Sequence, residues 1–252
     1  MFKSEIDENG FTLIELMVAM AMAGIVVSVI YSAYNIQTKI YTEQGKAAEM
    51  QQNIRAGIIL LQREARMAGY LSQDTNDISC NAKPKVGPAV SPGIHTATAA
   101  TFGFSMDLNE DGDCADDGEN VTYALYTSDG ITKLGRNDNT DDQDQQPVAE
   151  NITHINFVYI FSPPLVGSPA TKPPTSTPNA AQLDDIVAVQ ISLLARSKTE
   201  DREAAATTSF TLPMPNAWGE NTAGGAVFGP FTDSYSRRLL TTTINCRNMG
   251  LK

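Results

Sequence analysis

The sequence contains few of the residue types from which active sites and metal centres are usually built. It has two histidines, His95 and His154, and three cysteines, Cys80, Cys114 and Cys246, none of them in a zinc-binding or CxxC spacing. Motifs for a serine nucleophile, a phosphate-binding loop and a dinucleotide-binding loop are also missing. We therefore predict a protein that is not an enzyme and that requires no cofactor.

Basic charge is also scarce. Lysine and arginine together number 18 against 29 aspartates and glutamates, which gives a net charge of −11 at pH 7. Because nucleic acid is bound through a basic surface, we expect no direct nucleic-acid partner. Hydrophobic residues make up 42% of the 252 residues, which is enough for a packed domain with a further segment attached.

Proline is absent before Pro84, and this region begins with a long apolar run. A polar stretch, MFKSEIDENG, is followed by FTLIELMVAMAMAGIVVSVIYSAY, in which Glu15 is the only charged residue. Such a run is long enough to cross the roughly 30 Å hydrocarbon core of a membrane. A carboxylate at bilayer depth costs about 3 kcal/mol, so Glu15 requires a compensating partner.

A partner would arise if the chain were cut after Gly10, because Phe11 would then carry a new cationic amine. The residues GFTLIE, from Gly10 to Glu15, resemble the prepilin cleavage and methylation motif of type IV pilins and type II secretion pseudopilins. The resemblance implies that a prepilin peptidase cuts after Gly10 and methylates Phe11, and that Glu15 recruits and registers the next subunit. The leader departs from the family's usual basic character, since Lys3 is outnumbered by three acidic residues.

The apolar pattern continues as an amphipathic stripe as far as Ala68. Apolar residues recur at steps of three, four or seven, at Ile36, Ile40, Ala47, Met50, Ile54, Ile58, Leu61, Ala65 and Ala68. The opposite face carries Lys39, Glu43, Lys46, Glu49, Arg55, Arg63, Glu64 and Arg66. We predict one helix from residue 11 to residue 68 that ends near Gly69 and covers a sheet with this stripe. Gly24, Gly45 and Gly57 are predicted points of local bending.

Short runs with strand character begin after residue 70. The predicted strands are Thr101–Met106, Val121–Thr127, Ile131–Leu134, Ile152–Phe161, Ile186–Ala195 as a central strand, and Leu239–Ile244. Ser128-Asp129-Gly130 predicts a hairpin turn, whereas Asn137–Gln146 and the proline-rich Ser162–Ala181 predict loops. His95 is expected in a loop and His154 on the exposed face of its strand. The predicted fold class is α+β, a long N-terminal α-helix packed on a mainly antiparallel β-sheet head.

Three further stretches resemble PilW-type minor pilins, and the last two also resemble J-type pseudopilins. They are Gln52 to Tyr70 (QNIRAGIILLQREARMAGY), Ile186 to Arg196, and the ending from Arg237-Arg238 to Arg247-Asn248. The resemblance implies a type IV pilin fold with a leader at 1–10, a transmembrane and filament-core half-helix at 11–34, an amphipathic half at 35–69 and a head at 70–252.

The same resemblance implies a minor pilin that primes or caps assembly of a type IV pilus. Two alternatives stay open: a J-type minor pseudopilin of a type II secretion system, and a pilus-tip adhesin or binding module. The expected partners are other pilins through the N-terminal helix, the prepilin peptidase and the inner membrane. The head would lie in the periplasm before assembly and in an extracellular pilus afterwards.

One acidic segment has the residue types of a calcium site. Its order matches the opening of a calcium loop, D-x-[DN]-x-[DN]-G, and calcium prefers six to eight oxygen ligands. The predicted ligands are Asp107, Asn109, Asp111, Asp113 and Asp116. The twelfth position is Gly118 rather than glutamate, so Asp116, Asp117 or Glu119 would have to close the shell. An acidic turn between two strands is the alternative, and it stays open.

Cys114 lies inside this acidic segment. Outside the cytoplasm two of the three cysteines are expected to pair. A bond between Cys80 and Cys114 is preferred and would stabilise the fold by about 3–4 kcal/mol. Pairings that involve Cys246 stay open, because sequence alone does not determine connectivity.

Overall fold

The structure is a computed structural model that describes residues 10–71, 93–111, 114, 116–138, 145–162, 172–200, 207–215, 221–222 and 225–249. It contains two compact units, Met1–Ala47 and Ala48–Lys252, and one helix, α1 (Leu13–Ala65), contributes to both. The strands are β1 (Gly93–Ala97), β2 (Thr101–Ser105), β3 (Asn120–Ser128), β4 (Ile131–Asn137), β5 (Gln146–Glu150), β6 (Ile152–Phe161), β7 (Ile186–Arg196), β8 (Thr208–Thr211), β9 (Met214–Pro215), β10 (Asn221–Thr222), β11 (Val227–Phe231) and β12 (Arg237–Asn245). A short 3₁₀ helix spans Ala180–Asp185.

The described part of the first unit is the start of α1. No residue between Gly10 and Gly45 is buried, and the large apolar side chains of this segment are exposed to solvent. By length and composition α1 is able to cross a membrane, and its most apolar window has no buried residue. The predicted domain boundaries at residues 10, 34 and 69 stay predictions.

In the second unit the stripe of α1 is buried. Met50, Ile54, Ile58, Leu61, Ala65 and Ala68 belong to the same hydrophobic core as Phe102, Phe104, Phe157, Tyr159, Ile191 and Leu193. Gly57 also faces this core, where an added Cβ would lie 3.1 Å from Leu134 Cδ2 and 3.3 Å from Ala149 Cβ. Gly57 therefore allows the helix to approach the sheet closely, a packing role that the sequence did not suggest.

The strands form antiparallel sheets throughout the described residues. One sheet has five strands in the order β1-β2-β3-β4-β5, and a second has three in the order β12-β7-β6. Two small pairs, β9 with β10 and β8 with β11, follow β7 in the chain. The predicted α+β fold with a long N-terminal helix and a mainly antiparallel head is confirmed.

Most of the predicted strands are present. β6 begins and ends where the sequence placed it, and β7 is the middle strand of its sheet. The turn between β3 and β4 has positive φ at both Asp129 and Gly130, as a two-residue type I′ hairpin requires. β1, β5 and β8 to β11 were not predicted, and the predicted loops at 137–146 and 162–181 lie partly outside the described residues.

The end of α1 is closed by the C-terminal segment. After Ala65 the chain makes a turn in which Gly69 has a φ of +74°, a conformation that favours glycine. The side-chain amide of Asn248 donates to the carbonyl oxygens of Arg66 and Met67 at 3.5 and 3.4 Å. An added Cβ on Gly69 would lie 2.9 Å from Met249 Sδ, so the last described residues pack directly on the helix end.

Three side chains differ from their predicted environments. His95 lies in β1 rather than in a loop, and His154 is partly buried rather than exposed. Glu64, predicted on the solvent face of the helix, is partly buried and forms an ion pair with Arg136. Helical periodicity identifies the apolar face, but it does not reveal which charged neighbours meet a partner from a distant strand.

Candidate functional site

The first candidate site is the start of α1, where Thr12 and Glu15 form a reciprocal cap. One carboxylate oxygen of Glu15 accepts from the Thr12 amide at 2.9 Å and from the Thr12 hydroxyl at 2.8 Å. The Glu15 amide in turn donates to Thr12 Oγ1 at 3.4 Å. This is the capping-box arrangement, which satisfies N–H groups that the first turn of a helix leaves without intrahelical partners. The T-x-x-E spacing of Thr12 and Glu15 is the sequence signal for this cap.

The cap fixes where Glu15 lies relative to the predicted cleavage point. Gly10 and Phe11 come directly before the cap, and Phe11 is 91% exposed. Both hydrogen bonds from Thr12 reach the same oxygen, Oε2, and a carboxylate has about four acceptor positions over its two oxygens. Glu15 therefore retains capacity for a further donor, such as an amine from another chain, without losing its cap.

The second candidate site is the acidic loop between β2 and β3. Ser105 pairs with Asn120 across these strands, and the Met106 amide donates to the Glu119 carbonyl at 2.8 Å. This register places Asp107 beside Glu119, and Asp111 folds back towards both. Carboxylate oxygens of the three side chains lie within 4.8 Å of one another, with Asp107 and Glu119 buried and Asp111 exposed.

Three backbone amides hold the carboxylate of Glu119 in place. Its Oε1 accepts from the amides of Leu108 and Asn109 at 2.8 and 3.3 Å, and its Oε2 accepts from the Asp116 amide at 3.1 Å. Burial raises the pKa of Glu119, and the nearby Asp111 charge adds to this effect, while the backbone amides oppose it. A cation bound here would relieve the same repulsion.

The structure brings together part of the predicted calcium set. Asp107 and Asp111 meet as expected, and Glu119, one of three residues considered for closing the shell, completes the group. Asn109 instead donates its side-chain amide to Asp111 at 3.0 Å and to Asp116 at 2.7 Å. Asp113 lies outside the described residues. The clustered oxygens are of the type that calcium prefers, and calcium binding stays a prediction.

The cysteines fall into two groups. Cys114, in the acidic loop, is disulfide-bonded, whereas Cys246 is a free buried thiol. Burial raises the pKa of Cys246 to about 12, so this thiol is unreactive at neutral pH. The predicted partner, Cys80, lies outside the described residues, and its pairing with Cys114 stays a prediction.

A polar group inside the second unit ties α1 to the five-stranded sheet. Arg136, on β4, donates its Nε–H to both carboxylate oxygens of Glu64 at 3.0 Å, and Tyr123, on β3, donates its hydroxyl to Glu64 at 2.6 Å. Burial raises the pKa of Tyr123, and the Glu64 carboxylate adds to the rise. Three residues far apart in sequence thus hold the helix on the sheet, an arrangement that sequence reasoning missed.

His154 belongs to an aromatic group on the three-stranded sheet. Its ring lies 5.0 Å from that of Phe228 and 5.2 Å from that of Phe231. The Arg237 guanidinium stacks 4.0 Å from the centre of the Phe231 ring and forms hydrogen bonds with both carboxylate oxygens of Asp233. Burial lowers the pKa of His154, and the Arg237 charge lowers it further. The arrangement fastens β11 over β6, which is a structural role.

Two family models match the chain. The model described as Type IV Pilus-assembly protein W matches residues 117–248, more than half of the chain, and the model described as Prokaryotic N-terminal methylation motif matches residues 7–31. Among solved structures the chain is similar to a type IV-like pilin from Thermus thermophilus, with 12% identity and a TM-score of 0.40. That alignment covers 79% of this chain and 97% of the other. No curated protein matches the sequence.

Proposed function

Because the chain belongs to the type IV pilus-assembly protein W family, we propose that it is a minor pilin that primes or caps assembly of a type IV pilus. The observation that carries the proposal is the N-terminal segment. It combines a matched methylation motif, a Glu15 carboxylate held in a helix cap, and an apolar helix surface without burial between Gly10 and Gly45.

The proposed sequence of events begins in the inner membrane, with the head in the periplasm. The prepilin peptidase cuts after Gly10 and methylates the new amine of Phe11. Subunits then leave the bilayer for the filament, where apolar helices replace lipid as neighbours and the heads form the outer surface. In this state the partners are other pilins, met through the exposed face of α1.

Glu15 gives this exchange its register. A lone carboxylate at bilayer depth costs about 3 kcal/mol, so pairing with the cationic Phe11 amine of a neighbour favours transfer into the filament. Thr12 prepares the pairing, because its two hydrogen bonds hold the carboxylate in place before the neighbour arrives. An apolar helix surface alone would associate without specifying how far one subunit is displaced along the next.

The test is Glu15→Ala in the full chain, with surface pili counted by electron microscopy. If the protein primes assembly we expect at least about a tenfold loss of pili, the factor that corresponds to 1.4 kcal/mol, and if it caps assembly we expect filaments of altered length. Glu43→Ala is the matched control, because Glu43 is an exposed acid on the same unit and helix. Pili of normal number and normal length in the Glu15 variant would contradict the proposal.

Deletion of the whole gene separates priming from capping and from secretion. Priming predicts fewer filaments of unchanged length, because initiation is lost while elongation continues. Capping predicts unchanged filament numbers with altered length. Normal pili together with a block in type II secretion would instead identify a minor pseudopilin.

A further inference from the structure

The four outer strands of the two larger sheets differ in how their free edges are protected. Three of them carry devices that prevent pairing with another chain. β1 has a register shift between Ile94 and Thr96, and β5 contains Pro147 opposite another irregularity. β6 has two register shifts, and its edge at Tyr159 is already bonded to Thr175 in both directions, at 2.8 and 3.1 Å.

The fourth outer strand, β12, has none of these devices. From Arg237 to Asn245 it pairs with β7 residue for residue, without a register shift. It contains no proline and no lysine. Soluble proteins usually protect strands of this kind, because a long regular edge is a template for an incoming strand.

The hydrogen-bond pattern shows which groups of β12 face outwards. The Cys246 amide donates to Val187 at 2.9 Å, and the Ser197 amide donates to Ser236 at 2.9 Å. In an antiparallel pair the backbone groups alternate between the two sides of a strand, so the even-numbered residues of β12 bond to β7. The odd-numbered residues therefore direct N–H and C=O outwards: Arg237, Leu239, Thr241, Thr243 and Asn245. Among the residues that the structure describes, no strand pairs with this side.

We propose that the outer edge of β12 binds a strand of a different pilin-type subunit beside it, which extends the β12-β7-β6 sheet across the boundary between heads. The inference rests on the proposed function, since it requires that heads meet in a filament or at its tip. A row of alternating backbone donors and acceptors is matched fully only by another extended backbone, which supplies affinity while side-chain pockets supply specificity.

Charge indicates which strand fits. The chain as a whole is acidic, with a net charge of −11, yet β12 contains no acidic residue. Arg238 within the strand and Arg247 just after it are both exposed. The edge therefore favours a neutral or acidic strand, because opposite charges across a strand pair stabilise it and like charges destabilise it.

Proline substitutions test the two sides of β12 separately. Thr241→Pro removes an outward N–H and leaves the ladder with β7 intact, but it also removes the 2.9 Å hydrogen bond between the hydroxyls of Thr241 and the buried Ser192. Its melting temperature should therefore match that of Thr241→Val, which loses only that side-chain bond. Thr242→Pro removes an N–H that bonds to β7, and it should lower the melting temperature clearly. Thr243→Glu keeps every backbone group and places on the edge a charge that repels an acidic strand, which provides a second variant should proline disturb the strand.

The readout is photocrosslinking of the full-length chain in cells, with a benzophenone amino acid in place of Thr243. We expect a crosslink, identified by mass spectrometry, to a different subunit that carries a prepilin-type N-terminus. Thr241→Pro combined with the probe should reduce this crosslink at least about tenfold at unchanged chain level, and Thr243→Glu without the probe should change pilus number or length. Absence of a crosslink, a crosslink only to a second copy of this chain, or a crosslink unaffected by Thr241→Pro would overturn the inference. If one of these results occurs while Glu15→Ala still impairs assembly, only the proposed role of the β12 edge is refuted. Pili of normal number and length in Glu15→Ala would instead refute the proposed function.

Discussion

The two parts of α1 share one backbone conformation and differ in what covers their apolar side chains. Between Gly10 and Gly45 no side chain is buried, and Ile25 remains 65% exposed. Between Met50 and Ala65 every fourth or third residue is buried, and Leu61 is completely inaccessible. The first part leaves its apolar surface exposed, while the second uses it to build the core of its own head. In the proposed function the exposed surface meets lipid and other subunits.

One continuous α-helix can therefore suit two different environments, depending on how its apolar residues are distributed around the helix axis. In the first part apolar residues occur all round the helix, which suits hydrocarbon or a bundle of like helices. In the second part they form a stripe, with Arg55 and Arg63 exposed on the other side. Mutations in the first part should therefore affect assembly, and mutations in the second should affect folding.

The largest difference in stability between mutations in the two parts of α1 is expected when one apolar side chain is truncated in each part. Leu61→Ala creates a cavity in a fully buried site and should destabilise the head by about 3 kcal/mol. For a chain of this size that lowers the melting temperature by about 6–12 °C. Ile25→Ala, in an exposed site, should leave the melting temperature of the head unchanged. Circular dichroism of the full-length chain in detergent measures both, and equal shifts would contradict the comparison.

Replacing a glycine by a larger residue in each part of α1 tests the same difference by adding side-chain volume instead of removing it. Gly57→Val places methyl groups against Leu134 and Ala149, which are both buried, and should destabilise the head by about 2–3 kcal/mol. Gly45→Val meets nothing within 4 Å and should leave the head unaffected. A neutral Gly57→Val would mean that the helix does not lie as close to the sheet as the structure places it.

Removing the charge of Glu64 tests what holds the second part of the helix in place besides apolar burial. Glu64→Gln leaves Arg136 partly buried without its counter-charge and weakens the bond from Tyr123, for an expected loss of about 2 kcal/mol. Glu49→Gln is the control, because Glu49 is exposed on the same part of the helix. Chemical denaturation of both variants gives the comparison, and equal midpoints would refute the role of this ion pair.

The sequence was most informative where one local pattern decides the structure. The alternation in β6, the apolar run of β7 and the Asp129-Gly130 turn all have short-range physical causes, and each was placed correctly. Features that depend on distant partners were missed. Helical periodicity predicts that Glu64 lies on the surface of the helix. It does not predict the ion pair with Arg136, because the pairing of β3 with β4 determines where Arg136 lies.

The acidic loop shows the same limit within a candidate site. A calcium-loop spacing identified Asp107 and Asp111, but the third carboxylate is set by the register of β2 against β3, which brings Glu119 back to Asp107. The strands β8 to β11 were missed because they are only two to five residues long, too short for an alternating pattern, and because proline lies within β9 and β11. The contacts that place β11 are also distant in sequence, since Phe228 and Phe231 meet His154 of β6.

Calcium should distinguish the two parts of the chain by acting on the head alone. At 1 mM calcium, a site with a dissociation constant of about 0.1 mM would stabilise the head by about 1.4 kcal/mol. Calorimetry of the full-length chain in detergent, with chelator and then with calcium, measures the shift. Asp111→Asn should abolish most of it, because Asp111 is the exposed member of the group. No shift in the unmutated chain would leave the loop as an acidic turn.

The smallest expected effect is that of acidification, and it too should be confined to the head, because both histidines lie there. The pKa of His154 is lowered from 6.5 in the folded protein, first by burial and then by Arg237. The neutral ring therefore contributes stability that is complete above pH 6.5 and is lost as the pH falls from there through the folded pKa. The pKa of His95 is lowered as well, whereas the raised pKa of Glu119 favours folding at lower pH, so the pH dependence of the total stability combines opposite effects.

His154→Phe isolates the effect of His154, since it keeps a ring between Phe228 and Phe231 and removes the titration. The stability difference between this variant and the unmutated chain should grow in favour of the variant between pH 7.5 and 5.5, and parallel pH profiles would show that His154 is not held neutral by its surroundings.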